Sequence, residues 1–190
     1  MNRQEIGTSF INRISADALN SEAVNHPYLH ALRDGNVPNV DMAYRDFAFQ
    51  YGFYSRKFVG YLSSVIKNLS NEDHKKILQA NLAEERGDAH DVALPPEVLA
   101  SIAGQTHSHL YVRFQEAIGV DSNFREASSP CQTVLLWSKQ FSQLCDMGES
   151  VGIGAIGLGT ELIVHGIYEQ ILQGLKSHST LTMSERVFFD

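Results

Sequence analysis

Glu161 stands where an acid is least expected. The stretch from Val151 to Leu175 is apolar or small at almost every position, and only Glu161, His165 and Glu169 carry charge within it near neutral pH. A helix that is apolar nearly all round belongs inside a protein. A carboxylate placed there is costly unless it is paired, hydrogen-bonded or bound to metal. At helical spacing Leu158, Glu161, His165, Tyr168, Leu172 and Leu175 fall on one side. An acid and an imidazole facing a core need a partner, and a metal ion supplies one. His165 reads either as a group that orients Glu161 or as a packing residue.

A second carboxylate comes from the run Asn81-Leu82-Ala83-Glu84-Glu85-Arg86-Gly87. The apolar stripe of that helix is Ile77, Leu78 and Leu82, and Glu85 falls near its centre while Glu84 lies about 100° away. Glu85 is therefore the inward candidate and Glu84 the alternate, against the plainer reading of both as a solvated helix end. Between Thr106 and Gly119 the apolar face is Leu110, Tyr111, Phe114 and Ile118. His107 lies on that face, and His109 lies on the polar side with Arg113 and Glu116. His107 is the ligand candidate, or else a hydrogen-bonded core histidine. His90 falls in a loop and reads as exposed. Two acids and an imidazole from three helices suit non-haem iron, with manganese as the alternative, and helical bundles can build dimetal carboxylate sites in their cores.

The elements that must hold these residues are helical nearly throughout, with no convincing alternating strand. The spacing predicts an amphipathic helix from about Arg3 to Leu19 and a linker marked by His26-Pro27 and Gly35-Asn36-Val37-Pro38. A long helix follows from about Asp41 to Asn68, striped by Phe47, Tyr51, Tyr54, Phe58, Leu62 and Val65. Ser70 is expected to cap the helix that carries Glu85, which stops at Gly87. Pro95-Pro96 interrupts a short helical stretch, Thr106 caps the His107 helix, and Pro130 opens another that reaches about Met147. The expected fold class is all-α, a single-domain bundle over residues 1–190 with about seven helices.

Composition narrows the function classes. The chain has 190 residues, 43% of them hydrophobic, and a net charge of −7, so it lacks the basic balance of a nucleic-acid binder. The first residues, Met1 to Phe10, carry no apolar run of the kind a secretory leader needs. The glycines and ionisable residues of the Val151–Leu175 segment argue for a core helix over a membrane span. Cys131 and Cys145 are fourteen residues apart in one helical pattern, about 21 Å along a helix, too far to bridge. A reducing cytoplasm fits.

Four anchors give the chain a family likeness. They are Asn-Leu-x-Glu-Glu-x-Gly at 81–87, His-x-x-Leu-x-x-x-Phe at 107–114, Gly-x-x-x-Glu with Ile-Tyr and Gly-Leu downstream at 157–175, and Val187-Phe188-Phe189. From about Asp41 to Asp190 the sequence resembles the haem-oxygenase-like diiron oxidases, the iron-containing redox enzymes, relatives of the thiaminase II and pyrroloquinoline-quinone synthase proteins. The resemblance implies a haem-oxygenase-like bundle with Glu85, His107 and Glu161 as ligands of two non-haem irons. It also implies a histidine, an aspartate and a histidine on a last core helix that begins at the Phe-Phe run. The chain stops there, so truncation of that helix is the expectation; a tail docking Phe188 and Phe189 on the core is the simpler alternative. The interval from Glu85 to His107 is longer than the family pattern. The expected partners are a small-molecule substrate and molecular oxygen, with no nucleic acid and no membrane, and with homodimerisation as a further expectation. Two other readings use the same fold. One is a cofactorless hydrolase of the thiaminase II type with Cys131 or Cys145 as nucleophile, although neither has a base beside it in sequence. The other is a binding protein without chemistry.

Overall fold

Side-chain caps and positive-φ glycines set the helix boundaries. The computed structural model describes residues 3–88 and 94–190. Its helices are α1 (Arg3–Leu19), α2 (Pro27–Asp34), α3 (Val40–Ser55), α4 (Phe58–Asn68), α5 (Glu72–Glu85), α6 (Pro96–Ile102) and α7 (His107–Ala117). Then come α8 (Ser122–Ala127), α9 (Gln132–Asp146), α10 (Glu149–Ile153), a π-helical segment (Gly154–Glu161), α11 (Leu162–His178), α12 (Met183–Arg186) and a 3-10 turn (Val187–Phe189). No strand occurs among the described residues, so the fold is all-α. His90 lies outside the described residues.

The expected seven helices become more, each for a local reason. Residues 27–34 are a helix, not a linker: Pro27 occupies the first turn behind a His26 cap, and Gly35 closes the other end at φ +69°. Leu29 and Leu32 on this short helix are buried. The Asp41–Asn68 run is two helices, broken after Ser55. The cap of α5 is Asn71, whose side-chain oxygen accepts from the Asp73 backbone N–H at 2.8 Å, and not Ser70. Thr106 accepts from the His109 N–H at 3.1 Å, and the Thr182–Glu185 capping box is complete.

Two apolar clusters form the interior. The first joins α2, α3, α6, α7 and α11 with the terminal turn through Leu32, Tyr44, Tyr111, Phe114, Ile171, Phe188 and Phe189. The second joins α4, α9 and the π segment through Phe58, Leu62, Val65, Phe141, Cys145 and Ile156. Each fully buried large side chain contributes about 1.5–3 kcal/mol. The helix α11 crosses α2 closely enough that a Cβ on Gly174 would meet the Arg33 Cα at 2.8 Å and the Leu32 carbonyl oxygen at 2.9 Å. The terminal Val187, Phe188 and Phe189 are all buried. Phe188 and Phe189 dock on the core.

The continuous helical run Glu149–His178 is long and apolar enough to cross a membrane, and only 17% of its most apolar window is fully buried. The expectation of a helix immersed in the core is therefore corrected. Its inward stripe, Ile171, Gly174 and Leu175, packs on the first cluster, and most of its other residues are half-buried. Ile77 likewise leaves the apolar stripe assigned to α5, at 66% exposure.

Candidate functional site

The seam between the two apolar clusters holds a cavity of about 110 Å3. Tyr51, Tyr168 and Phe188 wall it from the first cluster, Tyr54 and Phe58 from the second. Glu85, His107 and Glu161 all line it. Such a volume admits several waters or small ions.

The chain brings the three together from separate elements. Glu85 is the last residue of α5, and His107 is the first of α7. Gly87, at φ +85°, turns the chain so tightly that a Cβ there would lie 2.5 Å from the Gln105 carbonyl oxygen. That close approach sets the end of α5 against the start of α7. His107 Nδ1 and Glu85 Oε1 are 2.8 Å apart, with side chains 37% and 16% exposed. Glu84 points to solvent. Glu161 ends the π segment, where the wider backbone turn shifts the helix phase. The cavity-facing residues around it are Thr160, Val164 and Tyr168.

His165 is not with them. Its side chain is 82% exposed and pairs with Glu169 Oε1 at 3.2 Å on the outer surface. The role of orienting Glu161 is thus corrected: the inward stripe runs through Val164, Tyr168 and Ile171, which puts the next residue along the helix outside. The residue that does hold Glu161 is Asn81, whose side chain hydrogen-bonds the carboxylate. Asn81 sits one turn before Glu85 on α5, and that i, i+4 spacing was a signal available in the sequence.

The electrostatics are those of an acid-rich pocket. Burial resists the charged form of His107, but the hydrogen bond to Glu85 and the charges of Glu85, Glu161 and Glu84 outweigh it and raise the imidazole pKa. Glu161 is exposed as a whole residue, yet enough protein surrounds it that desolvation raises its pKa. The Asn81 hydrogen bond and His107 oppose that rise, while Glu85 and Glu84 add to it. Burial raises the phenols of Tyr51 and Tyr168, whose hydroxyls are 2.9 Å apart, so both stay neutral.

A family model described as iron-containing redox enzyme matches residues 45–190, most of the chain. The chain belongs to this family. No curated protein sequence matches it. No Lys or Arg lines the small cavity, so His107 is the one side chain there that can offset the charge of Glu85 and Glu161. Asn81 Oδ1 is buried without a hydrogen-bond partner beside them. Carboxylate, imidazole and amide oxygens are donors that iron accepts. Among the described residues, no three such groups converge closely enough to grip an ion as they stand. The donor chemistry fits iron, with Glu85 and His107 already joined and Glu161 across the same space.

The two cysteines differ. Cys145 is buried, and burial followed by the charge of Asp146 pushes its thiol up to about 11. Cys131 stands at the N-cap position of α9, where the nearby Thr133 and Val134 backbone N–H groups lower its pKa. It lines a second, larger cavity.

Proposed function

We propose that this chain binds non-haem iron through Glu85, His107 and Glu161 and oxidises a small molecule with molecular oxygen. The Glu85–His107 pair in a cavity shared with Glu161, in a family of iron-containing redox enzymes, carries this reading. Two irons per chain is the number that an acid-rich helical site favours, and manganese is the alternative metal. Bound iron supplies the electrons that activate oxygen. The protein's share is different. Asn81 holds the Glu161 carboxylate, Glu85 fixes the ring of His107, and the Tyr51–Tyr168 pair and Phe188 restrict water. Two acids face one imidazole in the wall and no Lys or Arg, so an excess of negative charge gives the cavity an ionic reason to take up a cation. We assign the protein to a reducing compartment, the cytoplasm, where free thiols such as Cys131 and Cys145 persist.

Anaerobic addition of Fe(II), followed by desalting and metal analysis, tests the assignment. A full-length chain, with the further ligands that the resemblance implies on a last core helix, is expected to retain close to two irons. Glu85→Gln, His107→Gln and Glu161→Gln should each lower iron affinity by about 10–100-fold or more, and Glu84→Gln should not. Retention of no iron by the native chain, or equal losses from Glu84→Gln and Glu85→Gln, would overturn it.

One observation favours the hydrolase reading enough to test it. Cys131 combines exposure, a lowered pKa and a place on a cavity wall. Iodoacetamide at neutral pH is expected to label Cys131 and spare Cys145. If the enzyme is an iron oxidase, Cys131→Ser changes one atom of the larger cavity's wall, so KM can shift while turnover persists; loss of all turnover in that variant would decide for the nucleophile.

A further inference from the structure

The larger cavity, about 680 Å3, adjoins the small one through shared walls: Tyr51, Tyr54, Thr160 and Val164 line both. Its volume falls within the roughly 300–1,000 Å3 of pockets that bury a drug-sized ligand. Phe47, Val134, Trp137, Ile163 and Ile167 make its walls mainly apolar. Among its lining residues there is no Lys, Arg or His, and Asp46 is the acid present. Asp46 forms no ion pair among the described residues. It accepts a hydrogen bond from Gln50 Nε2 at 3.2 Å. The Gln50 amide is otherwise engaged: Nε2 also donates to the Ser129 carbonyl at 3.3 Å, and Oε1 accepts from the Cys131 N–H at 2.9 Å. The cavity therefore offers one carboxylate without an ion-pair partner, on a residue that is itself exposed, beside aromatic rings and a hydrophobic body.

That combination selects by charge. A carboxylate or phosphate entering would meet Asp46 at one end and Glu161 and Glu85 at the other, with no cation to receive it. A protonated amine would find Asp46, with the rings of Phe47, Tyr51 and Trp137 in the same walls and able to attract a cation where a face is free. The carbon body would replace water along the apolar wall and reach toward the Glu85–His107 pair. We infer that the larger cavity binds an apolar molecule bearing a protonated amino group, held at Asp46, whose far end is presented to the proposed iron site. The orientation toward iron rests on the function proposed above; the binding does not.

Trp137 is the only tryptophan in the chain and lines the cavity, so its fluorescence reports occupancy directly. Metal-free protein would be titrated with octylamine, octanoate and octanol. Octylamine should give a saturable change, with affinity about tenfold above either of the other two. Asp46→Asn should reduce octylamine to the level of octanol, and added NaCl should weaken only the amine. Ile163→Phe, which fills the cavity, should abolish binding of all three. Octanoate binding as tightly as octylamine, an amine preference surviving in Asp46→Asn, or no saturable response to any probe would overturn the inference. Should Asp46→Asn fail to fold, the salt dependence of the native chain still decides. Because no metal is present, failure here leaves the iron assignment standing, and absence of iron binding leaves this titration standing.

Discussion

His107 is pulled in two directions, and the balance gives a pH dependence. Burial disfavours its cation; Glu85 at 2.8 Å and the acids behind it favour it more, so the folded pKa lies above the usual value. A histidine whose folded pKa is raised binds more protons folded than unfolded. Its stabilisation is fully present below the unfolded pKa of about 6.5 and is lost as pH rises through the folded value. The melting temperature of the metal-free chain should therefore fall above about pH 6.5, and His107→Gln should flatten that fall. Parallel melting curves for the two proteins across this range would show that the pair holds no proton. At this scale the sequence was legible where a helix end fixed the angle. Glu85 could be separated from Glu84 because three apolar positions gave α5 a phase, even though one of them, Ile77, turned out to face solvent. His165 was misplaced because Val151–Leu175 is apolar on all sides and so has no phase to read; its inward face is chosen by α2 and the terminal turn packing against it.

One close backbone approach sets two elements of this site against each other. Gly87 is the case that matters: it combines a positive φ with a Cβ position already occupied by the Gln105 carbonyl oxygen. Gly87→Ala would incur about 1–2 kcal/mol for the left-handed conformation and would also force α5 away from α7. The expected outcome is a lower melting temperature together with weaker iron binding, because Glu85 and His107 sit on either side of that turn. Thermal melts and iron titration of the same preparation check it; destabilisation with unchanged iron affinity would mean that the turn does not position the pair. The turn could be anticipated from Gly87 and Thr106, a stop and a cap. Other boundaries could not. In the sequence Pro27 and Gly35 read as breakers, yet in the structure they bracket α2 as its first-turn proline and its C-terminal glycine. The break after Ser55 carries neither residue type, and the π segment leaves no trace in an apolar stretch.

Across the whole molecule, the site lies where two separate apolar clusters meet, and the final turn of the chain plugs that seam. Phe189 packs in the first cluster against Phe114 and Tyr168, with ring centroids at 4.9 and 5.1 Å. Phe188 touches Tyr111 at 4.7 Å and His107 at 5.8 Å, and it also walls the small cavity. Both are buried, so truncating either to alanine should cost about 3–5 kcal/mol, a large share of the roughly 5–15 kcal/mol that holds a domain together. The two should nevertheless differ in function. Phe189→Ala should lower the denaturation midpoint and leave iron affinity of the folded fraction unchanged. Phe188→Ala should lower both, since it removes one wall of the cavity and the ring against His107. Denaturant melts and Fe(II) titrations of the two variants under strongly native conditions make the comparison. Equal effects on iron would mean that the terminal turn serves only the core, and a retained site in Phe188→Ala would show that the Glu85–His107 pair is held from α5 and α7 alone.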